Sequence, residues 1–591
     1  MSRAATIFST AERCNAASEF MQHPTLHSTT TPPGLTGGQL LVRCLREQQV
    51  TTAFCVPGES YLDVLDGLYT HRDAIALVVC RHEAGAANMA EAYGKLTGAP
   101  GVCFVTRGPG ATHASAAVHT AFEDATPMVL FIGQVATAHR DREAFQEIDY
   151  RAMFGGFAKW VAQIDAPERV SEYVARAFNI AVNGRPGPVV LALPEDMLGA
   201  PVAALPAPAP TWQRLDIAPP PQAMAALLRE LGAARAPLLI VGGGGWTPQA
   251  REDLARFAQA QQLPVVAEFR CQDYLDNRHP CYAGDLGLST NPALAQRVRD
   301  SDLVVLAGGR LSEALTAGYA LLGVPRPRQR MVHIHASAEE LGGVYHADLR
   351  IVATPPAFLH AAAALPAPAA PAWSDWTQAA RADYQAFVAP TAHEGAMNMA
   401  EVVATLDRQL PEDAILTNGA GNYTTWLHRH FRYKGFRSQL APMNGAMGYG
   451  LPAAIAAKLV HPERPVVCLA GDGCLLMNVQ ELETAVRLRA AIVVVVVRNG
   501  SYGTIRAHQE KRFPGRNYAT DLGNPDYVAL ALAFGCGAER IASHHEFPEA
   551  LARALRSDRP YLIDVPTDIE YLSAQSRLSV VQARARAAQA Q

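Results

Sequence analysis

The sequence predicts an α/β protein of three successive parallel-sheet α/β domains. Three observations carry this. Apolar, strand-length runs alternate with alanine-rich segments of helical character, the pattern of parallel sheets with helices on both faces. Two Pro/Ala-rich stretches, 201–221 and 355–371, divide the chain and read as extended linkers. Glycine-rich turns follow several apolar runs, at the edge where open parallel sheets bind ligands. A length of 591 residues exceeds one core, so about three domains are expected. Apolar content of 49%, charged content of 18% and a net charge of −4 describe a globular protein and give no reason to invoke nucleic acid or an anionic membrane. No apolar run reaches a membrane span. The ten cysteines are scattered, and Cys55, Cys80, Cys103 and Cys468 sit in strand patterns. That is the usage of a reducing compartment, here read as the cytoplasm. Residues 1–34 are Ser/Thr/Ala-rich without an apolar core and read as a disordered tail.

The first domain, 35–200, carries strands at Ala74–Cys80, Gly101–Thr106 and Met128–Ile132. Glu83, in Arg81-His82-Glu83, opens a helix of small residues. A carboxylate there is commonplace, since it complements the helix dipole. The middle domain, 222–355, carries Pro237–Val241 followed by Gly242 to Gly245, and Asp302–Ala307 followed by Gly308-Gly309-Arg310. Four consecutive glycines are not the spacing of a dinucleotide fingerprint. The third domain, 390–575, places Gly471-Asp472-Gly473 after the strand Val466–Ala470, and Asn499-Gly500-Ser501 after Ile492–Arg498. Asp472 and Asn499 lie 27 positions apart, each at the carboxyl end of a strand. A carboxylate, an amide oxygen and a main-chain carbonyl suit a hard cation such as Mg²⁺. Gly471 and Gly473 let a diphosphate approach the backbone, and the following helix offers free N–H groups. Taken alone, the segment also reads as two ordinary strand-end turns.

This segment resembles the thiamine diphosphate signature, Gly-Asp-Gly followed by Asn a little under thirty residues later. The resemblance implies that Asp472, Asn499 and the main-chain oxygen of Ser501 hold Mg²⁺. Arg81-His82-Glu83, the small residues after it, and Met89-Ala90 are similar to the family segment whose Glu contacts N1′ of the aminopyrimidine. Glu83 inherits that proton-donating role. In Asn444-Gly445-Ala446-Met447, the matching Met of acetohydroxyacid synthases wedges between the two cofactor rings, and the matching Gly carbonyl receives the 4′-amino hydrogen. Met447 and Gly445 inherit those roles, the alternative for Met447 being a core gap filler. Gly421, Asn422 and Tyr423 resemble the diphosphate-contacting loop, with Asn-Tyr where the family often has Gln-His. Gly471, Gly473 and Cys474 join them, Cys474 standing where small or hydroxyl residues are usual. The domain order resembles the thiamine-dependent decarboxylases and carboligases: pyrimidine-binding, central Rossmann-like, diphosphate-binding. In that family the first domain of one subunit faces the third of another. Glu83 and Asp472 would then meet across an interface, in a homodimer or homotetramer.

Likeness to acetolactate (acetohydroxyacid) synthase large subunits spans nearly all of Leu35 to Asp568 and implies active-site roles for Phe145 and Gln146. The departures concern the substrate. Glu59 stands where the synthase has glycine and pyruvate decarboxylases have an acid-base Asp. It reads as a second acid/base group or as a turn carboxylate. Thr504 replaces a Met, His508 replaces a Trp, and Arg107 and His113 replace small or amide residues. Together these imply a more polar substrate pocket, suited to a 2-oxo acid or 2-hydroxy ketone with extra polar groups. The middle domain resembles the synthase's FAD-binding domain, with Gly284 to Gly287 and Gly309-Arg310 where flavin contacts would be. One family arginine is missing there, which leaves FAD open. The expected activity is decarboxylation of a 2-oxo acid with ligation to a second carbonyl. The alternatives are a non-ligating decarboxylase or acyloin lyase and, in a different class, a binding or regulatory homologue without the chemistry.

Overall fold

The computed structural model describes residues 34–391 and 394–590, so all but the last residue of the tail read over 1–34 lies outside the described residues. Three six-stranded sheets follow one another. The first holds β1 Thr52–Cys55, β2 Ala76–Val79, β3 Gly101–Val105, β4 Met128–Gln134, β5 Trp160–Gln163 and β6 Pro188–Pro194, in the order β2-β1-β3-β4-β6-β5. The middle sheet holds β7 Pro237–Val241, β8 Val265–Ala267, β9 Tyr282–Asp285, β10 Leu303–Ala307, β11 Arg330–His335 and β12 Leu349–Val352, in the order β12-β11-β10-β7-β8-β9. The third holds β13 Ile415–Asn418, β14 Gln439–Leu440, β15 Val466–Gly471, β16 Val493–Arg498, β17 Gly537–Arg540 and β18 Tyr561–Pro566, in the order β14-β13-β15-β16-β18-β17. Every pairing is parallel. The central strands are buried from end to end, as in β3 and β4, because helices cover both faces. The predicted α/β class therefore stands.

One expectation needs correction. The stretch 355–371 is not simply an extended linker: it opens with a helix, Pro355–Ala363, that buries Phe358, Leu359 and Ala362. Proline costs nothing in a helix's first turn, where its missing N–H has no partner to lose. The Ala/Leu/Phe run then carries the helix on. The earlier stretch carries no helix or strand from 202 until the helix Pro221–Gly232. The nine described cysteines are buried and free. Among the described residues no helix is long and apolar enough to cross a membrane.

The first and third domains of the chain pack directly. Helix Glu83–Thr97 lies on helix Gly450–Val460, and their alanines share one core. Small side chains allow the close approach. Buried Glu91 accepts the Tyr449 hydroxyl at 2.5 Å and the Thr126 hydroxyl at 2.7 Å. Lys95 donates to the Ala441 carbonyl at 3.1 Å. Glu481, from the third domain and fully buried, accepts the backbone N–H groups of Arg81 and His82, each at 3.1 Å. The Thr484 hydroxyl holds its other oxygen at 2.6 Å. Burial pushes the Glu481 carboxyl up, and these donors oppose the push. Glu481→Ala strips both N–H groups of their acceptor and is expected to cost roughly 1–3 kcal/mol, read as a lower denaturant midpoint.

Candidate active site

β15 and β16 pair with Gly471 opposite Val497, so Asp472 and Asn499 leave neighbouring strand ends side by side. Asp472 is 3% exposed. Its Oδ2 accepts from Asn499 N (3.1 Å), Gly500 N (2.7 Å) and Asn524 Nδ2 (2.8 Å). Its Oδ1 has a single N–H donor, Gly473, at 2.9 Å. Asn499 Oδ1 accepts from Ser501 N at 3.0 Å. The loop Asn499-Gly500-Ser501 is thus wrapped around one carboxylate. Tyr527 completes the support, its hydroxyl 3.1 Å from both the Asp472 carbonyl and Asn524 Oδ1. Asn524 and Tyr527 escape sequence reasoning as site residues. Their only signal is the segment Asn524-Pro525-Asp526-Tyr527 itself.

Beside this carboxylate lies a cavity of about 220 Å³ lined by Gly421, Asn422, Tyr423, Gly445, Met447, Gly471, Asp472, Gly473, Cys474, Asn499, Ser501 and Thr504, among others. Thr504 donates to Asn422 Oδ1 at 3.0 Å and ties two of its walls together. Cys474 Sγ takes the Tyr423 hydroxyl and the Gly448 N–H, both at 3.2 Å. The sulfur therefore serves as an acceptor for both. Burial, and then Cys474, push the Tyr423 phenol well up. A Cβ on Gly473 would lie 2.8 Å from the Tyr502 ring, and one on Gly471 2.7 Å from the Tyr423 ring. Both turns therefore need glycine. Met447 is half-buried, packed on the third-domain core at one side and facing the cavity at the other, so both of its readings describe part of its setting.

The first-domain residues form a separate group. Glu83 is the first residue of its helix, and His82 caps that helix through Nδ1, which accepts from Ala84 N at 3.1 Å. Glu83 Oε2 lies 2.9 Å from His113 Nδ1. The His113 ring stacks on His82 at 4.4 Å. Burial first, and His113 second, hold the His82 imidazole below its ordinary value. His113 thus sits on the acid itself. Arg107 is bound on both sides, to Glu59 at 3.0 Å and Glu195 at 2.5 Å, so its charge is matched within its own domain. Gln146 has φ +66°, an uncommon conformation for a non-glycine residue. Its carbonyl accepts Gly108 N at 2.9 Å. Its side-chain oxygen is buried without a partner. Phe145 is 76% exposed. His508 is exposed on helix Gly503–Arg512, four residues beyond Thr504. Of the residues read as a substrate pocket, only Thr504 lines the cavity. Among the described residues, the lining comes wholly from the third domain.

The cavity fits a metal-anchored diphosphate. It offers a carboxylate, an amide and main-chain oxygens for a hard cation, and two glycines beside helix N–H groups for the anion. In the middle domain the buried Glu268 carboxylate lies between the two glycine turns.

Comparison with known proteins finds family matches along the chain. Three family profiles match: the thiamine pyrophosphate enzyme N-terminal TPP binding domain over 35–153, its central domain over 224–362 and its C-terminal TPP binding domain over 419–565. The acetolactate synthase large subunit of Parasynechococcus marenigrum is 32% identical over 90% of this chain and 88% of its own. Acetolactate synthase isozyme 2 large subunit of Escherichia coli is 31% identical over 90% and 96%. A probable acetolactate synthase large subunit of Methanocaldococcus jannaschii is 30% identical over 90% and 92%. With this extent of likeness, and a third domain shaped for a metal-held diphosphate, the chain belongs to the thiamine pyrophosphate enzymes, together with the acetolactate synthase large subunits.

Proposed function

We propose that the chain decarboxylates a 2-oxo acid and ligates the product to a second carbonyl compound, using thiamine diphosphate held through Mg²⁺. The observation that carries this reading is the gathering of Asp472, Asn499, Ser501, Gly445 and Met447 on one cavity at the strand ends. Bound thiamine diphosphate supplies the nucleophilic carbon and the electron sink for loss of carbon dioxide. Asp472 Oδ1, Asn499 Oδ1 and the Ser501 carbonyl hold the cation. The Gly471–Cys474 turn and Asn422 receive the diphosphate. Met447 would pack against the cofactor's rings, and Glu83 would be the group that gives and takes a proton at its pyrimidine. Because the described residues of the first domain give the cavity no wall within one chain, Glu83 comes from a second copy, in a homodimer or homotetramer of a cytoplasmic enzyme.

Incubating the protein with thiamine diphosphate, Mg²⁺ and a panel of 2-oxo acids, with and without an aldehyde or 2-oxo acid acceptor, tests the reading. Carbon dioxide release together with a 2-hydroxy ketone product is expected. Release with free aldehyde as the sole product would indicate the non-ligating reading, and no release from any acid would remove both. Thr504 is the wall residue on which selectivity turns. Thr504→Met adds apolar bulk and removes the hydrogen bond to Asn422. We expect it to shift the kcat/KM ratio toward apolar over polar 2-oxo acids by about tenfold or more. An unchanged ratio would place substrate choice elsewhere.

A further inference from the structure

In the middle sheet the chain runs from β7 outward to β8 and β9, then returns to lay β10 on the other side of β7. The reversal lies between β7 and β10, and a crevice at their carboxyl ends is where such a sheet takes a nucleotide. Gly242 to Gly245 and Gly308-Gly309 border it. Here the crevice is filled from within. Glu268, the residue after β8, is 2% exposed. Its Oε1 accepts the N–H groups of Arg310 at 3.0 Å and Leu311 at 3.2 Å. Burial pushes the carboxyl up, opposed by these donors and by a third N–H from Gly243.

Gly242 and Gly309 are accounted for by this closure, and Gly243 and Gly244 by the backbone packed against them. A Cβ on Gly242 would lie 1.9 Å from Glu268 Oε2, and one on Gly309 2.1 Å from Oε1. Gly243, at φ +68°, would bring a Cβ 1.9 Å from the Gly308 carbonyl. One on Gly244 would lie 2.2 Å from the Ala125 carbonyl of the first domain. Nearby cations are also engaged: Arg310 with Glu123 at 2.8 Å, and Arg185 with Glu340 at 3.6 Å. The cavities bordering these glycines measure about 70, 60 and 20 Å³, each far below the few hundred Å³ that cofactor sites occupy.

We infer that Glu268 seals the middle domain's nucleotide crevice, its carboxylate taking the N–H groups that a ligand diphosphate would need, so that the enzyme holds no flavin or adenine nucleotide there. A diphosphate brought to this place would meet a like charge in a dry setting and find its donors spent. The inference stands independently of the third-domain site.

The test uses the full chain loaded with thiamine diphosphate and Mg²⁺. Its visible spectrum is recorded for flavin, and FAD and ADP are titrated against it by equilibrium dialysis. No co-purified flavin and no saturable binding up to about 1 mM are expected. About one flavin per chain, or saturable binding of FAD or ADP to the unaltered protein, would overturn the inference. Glu268→Ala frees the three N–H groups and is expected to bind ADP at least about tenfold more tightly than the parent. A variant with parental circular dichroism and no such gain would overturn the role given to Glu268. If the variant does not fold, the titration of the unaltered protein decides alone.

Discussion

Glu83→Gln is expected to lower turnover by roughly 10²–10⁴-fold while leaving the affinity for thiamine diphosphate nearly unchanged. The substitution keeps the shape and still offers an oxygen to His113, which lies 2.9 Å from Glu83 Oε2. What it removes is the capacity to give and take a proton. Glu83 does not line the cavity of its own chain, so the diphosphate and metal contacts stay intact. The loss corresponds to about 2.7–5.5 kcal/mol of barrier, read in single-turnover rates and in deuterium exchange at the cofactor's acidic ring carbon. Binding, measured by calorimetry, serves as the control. Turnover within a factor of two of the parent would take Glu83 off the proton path.

The second large effect concerns the anchor. Asp472→Ala should weaken Mg²⁺-dependent retention of thiamine diphosphate by more than about a hundredfold, since even outer partners of a metal site are worth ten- to a hundredfold. It should also cost about 1–3 kcal/mol of stability, because the N–H groups of Gly473, Asn499 and Gly500 lose their acceptor. The two losses separate cleanly. Affinity is measured against Mg²⁺ concentration well below the unfolding temperature, where a stability defect leaves the metal dependence untouched. Parental metal dependence in the variant would remove Asp472 from the ligand set.

The three sheets were legible because their strands are nearly pure apolar runs ending in glycine turns, as in Val493–Val497 and Val466–Gly471. The third-domain cavity was legible for the same reason: its residues follow strands, and adjacent strand ends bring Asp472 and Asn499 together. Contacts across great sequence distance were not. Glu481 reaches backbone 400 positions away, and nothing in its local sequence distinguishes it from a solvated helix carboxylate. Glu268 was equally silent, a lone acid after a short strand. Arg107 and His508 read as pocket residues by position, and within one chain neither lines the cavity. The fold gives Arg107 two carboxylates of its own domain, and helical spacing carries His508 one turn past the cavity wall. Proline composition suggested a linker at 355, but proline is equally at home opening a helix.

The contact between helices Glu83–Thr97 and Gly450–Val460 restricts how the enzyme can move. Glu481, Glu91–Tyr449 and Lys95–Ala441 bolt the first and third domains of one chain together, fixing Glu83 relative to that chain's own third-domain cavity. On the proposed arrangement, with the working site between two copies, admitting or releasing a cofactor would mean sliding whole chains against each other, and the two cradles of a pair would loosen in concert.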